Sequence, residues 1–564
     1  MPKSRYRAAQ HGGSADDVEA AFYEALQAGD IEQLMACWAD EDDVVCVHPG
    51  GPRMVGVGAI RAGFEAMFAH GTIRARIDRV RKVESLASAV HNVLEHVEVL
   101  LPDGRARPGC EPVAAWLAAT DAADIESLNQ QALAMFYRKG VTFTVYSEAS
   151  NIERVIPFDI IPRIIPADEW RILEAGCAQR IRALNMFIHD IYHEQHIIKA
   201  GIVPAAQVLV NDCYQPWMHN INLPAPIYAH ISGIDLIRHG DGSYYVLEDN
   251  LRTPSGVSYM LEGRNISESL LPEVFARQQV RPVSSYPQQL YDTLAACSGR
   301  DSPNIVVLTP GRYNSAYYEH TFLARAMNVP LVHGYDLFVE DNIVYTKTVA
   351  GRHRVDVIYR RLDDPFLDPL AMRPDSILGV PGLMAAYRAG HVLICNAPGT
   401  GVADDKSVYP FVGDMIRFYL SEEPILHNVP TWQCRKSDDL KYVLAHLDEL
   451  VVKETQGSGG YGMLVGPKAT QAEIEAYRAR ILDNPEGFIA QPTLALSTCP
   501  TCVEEGIAPR HIDLRPFVLT APDQVRIVPG GLTRVALRKG SLVVNSSQGG
   551  GVKDTWVVET GDAS

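Results

Sequence analysis

The sequence lacks the features that mark several protein classes. It contains no run of about 18 apolar residues, so no membrane-spanning helix is expected. The 51 Lys and Arg residues are outnumbered by 68 Asp and Glu, and the net charge of −17 argues against general nucleic-acid binding. The ten cysteines are scattered over 564 residues, a pattern typical of reduced thiols rather than of a disulfide framework. We therefore expect a cytoplasmic protein that has neither membrane nor nucleic-acid partners.

The length of 564 residues is enough for roughly three or four domains. The N-terminal segment is basic but has no apolar core, so it does not have the pattern of a secretory signal. Composition and hydrophobic periodicity divide the chain as follows: a disordered arm over 1–14, an α+β unit over 15–119, a polar linker over 120–127, a second body over 128–558 and a frayed tail over 559–564.

Residues 233–256 carry the first strong motif. Two alternating apolar and polar runs flank a His-Gly-Asp-Gly turn, which predicts a β-hairpin. An even-length loop would place Asp235, Glu248 and Asn250 on one face, with Glu248 diagonal to Asp235. Two carboxylates and an amide suit Mg²⁺, and Arg252 would add a positive charge for an anionic substrate. The alternative is a surface hairpin with a solvated acidic face.

Residues 450–467 carry the second motif, a strand with Lys453 followed by a glycine-rich loop. Glycines allow backbone N–H groups to surround phosphate oxygens, and a lysine nearby adds a point charge. The loop residues are Gly457, Ser458, Gly459 and Gly460. The alternative is a plain glycine-rich turn, and no Gly-Lys-Ser/Thr sequence opens a helix here, so the loop is not a Walker A motif.

The order of elements over 15–119 resembles the nuclear-transport-factor-2-like, or SnoaL-like, cone fold. Helices come first and an antiparallel sheet follows, and the matching features are Trp38, the turn at 48–51 and the helix that begins near Gly56. Members of that fold include isomerases, hydrolases and dimerisation modules, so the resemblance assigns no chemistry. It implies a possible homodimer through this unit.

The remainder of the chain resembles the circularly permuted ATP-grasp type 2 family and is similar to the ligase domain of glutathionylspermidine synthetase. The matching stretches include IPFDIIPRIIP, YYVLEDNLRTPSG, VVKETQGSGGYGMLVGP and HIDLRPFVL, in one consistent order. The hairpin precedes the glycine-rich loop, which is the mark of the permutation. The expected fold class is α+β: an N-terminal cone fold, then a permuted ATP-grasp fold whose two α/β subdomains clamp a nucleotide.

The resemblance implies ATP and Mg²⁺ as cofactors and assigns roles to individual positions. Asp235, Glu248 and Asn250 match the metal ligands, and Lys406 and Lys453 match lysines that contact ATP phosphates. The loop over 457–462 matches the flexible flap, Gln491 falls in the strand that lines the adenine, and Arg515 matches an arginine near the γ-phosphate or acyl phosphate. In one departure, Gly233 stands where the synthetase has an arginine, and Arg252 could substitute for it.

The activity that the resemblance implies is ATP-dependent ligation of a carboxylate to an amine through an acyl phosphate, which releases ADP and phosphate. The substrates would be small molecules of the amino-acid, peptide or polyamine class. Two other functions stay open: a nucleotide-binding regulatory or scaffold protein without turnover, and an ATP-dependent phosphotransferase.

Overall fold

The structure is a computed structural model, and it describes most of the second body and parts of the first unit. The described residues are 15–38, 44–47, 53–68, 72–84, 89–100, 107–146, 151–239, 242–455, 457, 462–494, 496–504, 506–538, 541, 544 and 549–559. The predicted arm over 1–14, flap residues Ser458, Gly459 and Gly460, and tail residues 560–564 lie outside this part of the chain. Every helix within these ranges is too short or too polar to cross a bilayer.

The first unit begins with helices that pack on one another before its longest strand pair. Its elements are α1 (Ala15–Ala28), α2 (Ile31–Met35), β1 (Val45–Val47), β2 (Arg53–Val55), α3 (Val57–Phe68), β3 (Thr72–Glu84), β4 (Ala89–Leu100) and α4 (Glu111–Ala119). Leu34, Ile60 and Phe64 are buried in its core. The order of helices followed by an antiparallel strand pair matches the expected cone fold.

The predicted linker over 120–127 is the beginning of a helix in the structure. Helix α5 (Ala122–Arg138) starts inside that segment, and Ile125 is buried in the core of the second body. Helix α4 also packs on this body, because Val113 belongs to the same core and Gly109 accepts a hydrogen bond from Gln278. Of the acidic residues that suggested a linker, Asp121 is the N-cap and Asp124 stands in the first turn, where negative charge interacts favourably with the positive end of the helix dipole.

The second body up to residue 300 contains the hairpin and the longest helix. Its elements are β5 (Thr142–Tyr146), β6 (Asn151–Val155), β7 (Phe158–Pro166), α6 (Ala167–Tyr192), α7 (His196–Lys199), α8 (Ala205–Val208), β8 (Ile231–Arg238), β9 (Tyr244–Asn250), α9 (Val257–Leu270), α10 (Pro272–Gln278) and α11 (Tyr286–Cys297). Helix α6 buries Leu173, Ile181, Leu184 and Ile188 at helical spacing, and these side chains form the centre of the largest core.

A parallel sheet and the small sheet of the glycine-rich loop follow. The elements are β10 (Ile305–Leu308), α12 (Tyr317–Ala326), β11 (Leu331–Val332), β12 (Leu337–Glu340), β13 (Ile343–Thr348), β14 (Gly351–Arg354), β15 (Val357–Arg360), α13 (Leu383–Arg388), β16 (Leu393–Cys395), α14 (Gly401–Asp404), α15 (Val412–Leu420), β17 (His427–Asn428), β18 (Trp432–Gln433), α16 (Ser437–Ala445), β19 (Leu450–Glu454), β20 (Met463–Val465), α17 (Gln471–Asp483) and β21 (Phe488–Pro492).

The last strands return to the sheet that contains the hairpin. They are β22 (Thr498–Val503), β23 (Gly506–Arg515), β24 (Phe517–Thr520), β25 (Val525–Ile527), β26 (Leu532–Val535) and β27 (Gly551–Val558). Within the described residues this large sheet has the order β17-β9-β8-β23-β26-β27-β7. The parallel sheet has the order β11-β10-β15-β16, and the small antiparallel sheet has the order β18-β21-β19-β20. The large and small sheets therefore carry the two strong sequence motifs.

Candidate nucleotide site

A cleft separates the large sheet from the small sheet and holds about 910 Å³ of empty space, part of it open to solvent. The large sheet contributes side chains of β8, β9, β23 and β26, and the small sheet contributes side chains of β19, β20 and β21. Ile237, Leu247, Val451 and Met463 supply apolar walls. Six of the residues that the sequence singled out line this cleft: Asp235, Glu248, Lys406, Lys453, Gly457 and Gln491.

The hairpin has a different register from the predicted one. Asp235 pairs directly with Glu248 and Leu236 pairs with Val246, which leaves Leu247 as an extra residue in β9. The expected diagonal placement of Glu248 relative to Asp235 was therefore wrong, because a β-bulge shifts the register within the strand. The bulge brings the two carboxylates closer together than a diagonal pair would be, and both still lie on the face that the sequence predicted.

Asp235 is fully buried, and two arginines from neighbouring strands surround it. Its carboxylate accepts hydrogen bonds from Arg515 Nε at 2.5 Å, Arg515 Nη2 at 2.8 Å and Arg534 Nη2 at 2.6 Å. Arg534 also donates to Asp513. Burial alone would raise the pKa of Asp235, but the two guanidinium groups outweigh it and hold that pKa below its ordinary value. Asp235 is thus ionised and held in a network of arginines.

Gly233 leaves room for one of these arginines. A Cβ atom built at Gly233 would lie 3.1 Å from Cδ of Arg515 and 3.2 Å from Cβ of Pro254. The stem of Arg515 therefore passes over Gly233 on its way to Asp235. Its guanidinium also reaches to 3.9 Å from Glu248. Arg515, rather than Arg252, occupies the space next to the position where the synthetase has its additional arginine.

Two lysines face the carboxylates across the cleft. Lys406 Nζ donates to the Gly457 carbonyl at 2.5 Å and lies 3.5 Å from Glu248 Oε2. The Lys406 backbone N–H donates to Thr455 O at 3.1 Å, so Lys406 is held next to the residues that precede the glycine-rich loop. Burial lowers the pKa of Lys453 to about 8, although the charges of Glu248 and Asp235 act in the opposite direction. Both lysines line the cleft, so their ammonium groups, which now donate to Gly457 O and to Gln491 Oε1, could also donate to the oxygens of a phosphate.

Gln491 is buried, and its side-chain amide already has two partners. Lys453 Nζ donates to Gln491 Oε1 at 2.7 Å, and Gln491 Nε2 donates to Thr431 Oγ1 at 3.1 Å. Thr431 Oγ1 donates in turn to Val429 O at 2.8 Å. Gln491 therefore lies in the strand that the sequence predicted, beside the lysine.

Arg252 and Asn250 lie outside the lining of this cleft. Arg252 Nε donates to Asp404 Oδ2 at 2.7 Å, and the Leu251 N–H donates to the other oxygen of the same carboxylate. Burial raises the pKa of Asp404 to about 6, against the opposing effect of Arg252. Asn250 Nδ2 donates to Gly233 O at 3.2 Å. Arg252 thus fixes the loop that leaves β9, and its side chain remains 35% exposed.

A second ion pair holds the rest of that loop. Glu319 accepts hydrogen bonds from the backbone N–H groups of Gly256 and Ser258 at 2.8 and 3.0 Å. Its other oxygen pairs with Arg361 at 3.1 Å, and Arg361 donates to Pro254 O at 2.8 Å. The connection between strand β9 and helix α9 is therefore held near both ends by ion pairs, of which the Arg361–Glu319 pair is fully buried.

The carboxylates of the cleft are suitable ligands for a magnesium ion that is also bound to nucleotide phosphates. No group of three or more His, Cys, Asp or Glu side chains able to hold a metal occurs in the described part of the chain. Glu248 is different from Asp235, because its side chain is 29% exposed and lines the cleft. Mg²⁺ commonly takes one or two carboxylates together with water and phosphate oxygens. The residues fit such an ion with Glu248 as the principal ligand, whereas the oxygens of Asp235 are engaged by arginines.

Sequence reasoning assigned no role to three residues of this site. Asp513 and Arg534 complete the charged network around Asp235, and Thr431 contacts Gln491. One signal was available, because Asp513 and Arg515 are two residues apart in an otherwise apolar strand and therefore share a face. Nothing local marks Thr431 or Arg534.

Family models match most of the chain and agree with this geometry. The model described as "Circularly permuted ATP-grasp type 2" matches residues 162–536, and the model described as "SnoaL-like domain" matches residues 20–128. The chain belongs to the circularly permuted ATP-grasp type 2 family and carries an N-terminal SnoaL-like domain. The expected fold class is confirmed, and this family generally uses ATP and Mg²⁺.

Several relatives are similar over most of the chain. An uncharacterized protein of Synechocystis sp. is 51% identical over 464 residues, which cover 82% of this chain and 96% of that protein. An uncharacterized protein of Mycobacterium tuberculosis is 47% identical over 463 residues, which cover 82% and 83% of the two chains. A Frankia alni protein, provisionally named a glutamate–cysteine ligase, is 44% identical over 425 residues, which cover 74% of this chain and 48% of that protein.

One solved structure is more distant. The glutathione synthetase-like effector of Globodera pallida, in its apo form, has a TM-score of 0.49 and 9% sequence identity, and the match covers 78% of this chain and 98% of that chain.

Proposed function

We propose that this protein is an ATP-dependent carboxylate–amine ligase that forms an amide bond through an acyl phosphate. The observation that carries the proposal is the cleft between two sheets whose lining brings together Lys406, Lys453 and Glu248. Membership of an ATP-grasp family supports a nucleotide as the ligand of this cleft. The apolar wall of Val451, Met463 and neighbouring residues suits a base.

The side chains of the cleft supply position and charge. A carboxylate does not react with an amine at neutral pH, so the substrate carboxylate first attacks the γ-phosphate and releases ADP. Lys406 and Lys453 would hold the phosphate oxygens, and Arg515 would stabilise negative charge at the transferred group. A bound Mg²⁺ would neutralise phosphate charge beside Glu248. The amine then displaces phosphate from the acyl phosphate, and no side chain has to act as a nucleophile.

The substrates that we propose are a small carboxylate and a small amine of the amino-acid, peptide or polyamine class. The provisional name of the Frankia alni relative supports the amino-acid class. That relative is about twice as long as its matched region, so its name is a guide to the chemistry and not to the partners of this chain.

The experiment is a measurement of ADP release by the purified protein with Mg-ATP and pools of amino acids, small peptides and polyamines. We expect release only when a carboxylate and an amine are both present, and mass spectrometry of the mixture should show an amide product. Glu248→Gln serves as the matched inactive variant. Release with one hydroxyl-bearing acceptor would instead indicate a phosphotransferase, and binding of ATP without release would indicate a regulatory protein.

A further inference from the structure

Three side chains form an unbroken series of hydrogen bonds that ends at Lys453. Lys453 lies in β19, Gln491 lies in the neighbouring strand β21, and Thr431 directly precedes β18, the next strand of the same sheet. The bonds run from Lys453 Nζ to Gln491 Oε1, from Gln491 Nε2 to Thr431 Oγ1, and from Thr431 Oγ1 to the backbone oxygen of Val429. The small sheet holds the backbone of Lys453 and Gln491, and Thr431 stands just before the start of its strand β18.

The chemistry of the donors fixes the direction of every bond in this series. An ammonium group can only donate, so the Gln491 amide must turn its oxygen toward Lys453 and its NH₂ group toward Thr431. The Thr431 hydroxyl hydrogen is used on Val429 O, so a lone pair is available for that NH₂ group. Gln491 is only 2% exposed, and a rotated amide would leave buried polar atoms without partners. The amide is therefore held in a single orientation.

The charges around Lys453 show what the fixed orientation of the Gln491 amide does for the lysine. Glu248 and Asp235 attract the ammonium from the far side of the cleft, whereas Lys406 repels it. A lysine stem has four flexible carbons, so an unrestrained ammonium could move toward Glu248 and neutralise the carboxylate that a magnesium ion needs. The bond to Gln491 keeps the ammonium on the small-sheet side, where it faces the space between the sheets.

We propose that Gln491 and Thr431 are positioning residues, which hold the Lys453 ammonium in place for a phosphate instead of contacting the base. This inference rests on the proposed function, because it assumes that the cleft binds ATP. It assigns to Gln491 a role different from the base-lining position that the sequence suggested, and it adds Thr431 to the site.

The test is a double-mutant cycle on the affinity for a non-hydrolysable ATP analogue with Mg²⁺, measured by isothermal titration calorimetry on the full chain. Thr431→Val keeps the branched shape but removes the hydroxyl, and Thr431→Ser keeps the hydroxyl. We expect Thr431→Val to weaken binding about tenfold and Thr431→Ser to restore most of that loss, since hydrogen bonds that involve charged groups are among the stronger ones. In a Lys453→Met background, Thr431→Val should cause no further loss.

The outcomes separate this inference from the proposed function. If Lys453→Met leaves the affinity unchanged, the nucleotide site itself is wrong, and the inference is overturned together with it. If Lys453→Met weakens binding but Thr431→Val causes the same loss in both backgrounds, the site stands and the positioning role is overturned. Failure of Thr431→Ser to restore binding has the same meaning. Should Thr431→Val fail to fold, Gln491→Met replaces it in the cycle, with the same expected coupling to Lys453.

Discussion

The unusual pKa of Lys453 predicts how the affinity for ATP changes with pH. Burial lowers this pKa from 10.5 to about 8, so the lysine loses its charge within an accessible pH range. A bound triphosphate favours the charged form and raises the pKa, so binding takes up a proton and affinity falls as the pH rises through about 8. With a pKa of about 8, about a tenth of the Lys453 side chains are neutral at pH 7 and about nine-tenths are neutral at pH 9. The affinity for the nucleotide should therefore fall roughly tenfold from pH 7 to pH 9.

Calorimetric titration with a non-hydrolysable ATP analogue and Mg²⁺ at several pH values measures this dependence. Lys453→Arg is the matched control, because a guanidinium stays charged throughout this range and its profile should be nearly flat. The titration of the nucleotide is common to both proteins, so the difference between the two profiles isolates residue 453. A flat wild-type profile, or an equally steep profile for Lys453→Arg, would refute the reasoning.

Two further substitutions test the site, and a third tests the close backbone packing at Gly379. Glu248→Gln removes a partly exposed carboxylate, so ADP release should fall at least about 100-fold with an unchanged circular dichroism spectrum; wild-type rates would contradict the site. Asp235→Ala leaves Arg515 without its paired carboxylate and Arg534 with Asp513 alone, and it should cost about 3–5 kcal/mol in urea unfolding; a cost below about 1 kcal/mol would contradict the network. Gly379→Ala places a Cβ 2.1 Å from a backbone oxygen and should lower the thermal midpoint by several degrees, as a melting curve would show.

The sequence predicted the hairpin because its two strands alternate cleanly around a turn of glycine and aspartate. It did not predict the register, because the bulge at Leu247 depends on what β8 and β9 pack against and not on the turn. Direct pairing of Asp235 with Glu248 is unfavourable by itself, since like charges opposite one another in a sheet repel. The sequence therefore gave no local reason to expect that arrangement.

The missing reason lies far along the chain. Arg515 in β23 and Arg534 in β26 are 280 and 299 residues away from Asp235 in the sequence. Both arginines bind the Asp235 carboxylate and so offset the repulsion between Asp235 and Glu248. The same limit applies to the linker. The segment over 120–127 is polar by composition, but Ile125, Ala132 and Phe136 recur at helical spacing and pack on the second body. The polar composition of this segment reflects the exposed face of the helix, whereas the burial of its apolar face depends on the second body, which local composition cannot reveal.

The charges of the cleft favour a nucleotide with a bound divalent cation over a bare nucleotide. The protein carries a net charge of −17, and the lining contains four carboxylates, those of Asp235, Glu248, Glu454 and Asp513, beside Lys406, Lys453 and Arg534. Arg534 is already paired with Asp235 and Asp513, and Arg480 is paired with Glu454, so the two lysines and Glu248 remain as the charges that face the open space. A bare triphosphate would meet Glu248 at close range and be repelled by it. A nucleotide that arrives with a divalent cation changes this contact into an attraction, because the cation lies between the carboxylate and the phosphates. The two lysines and Glu248 thus complement a magnesium nucleotide better than they complement a bare nucleotide or a bare cation.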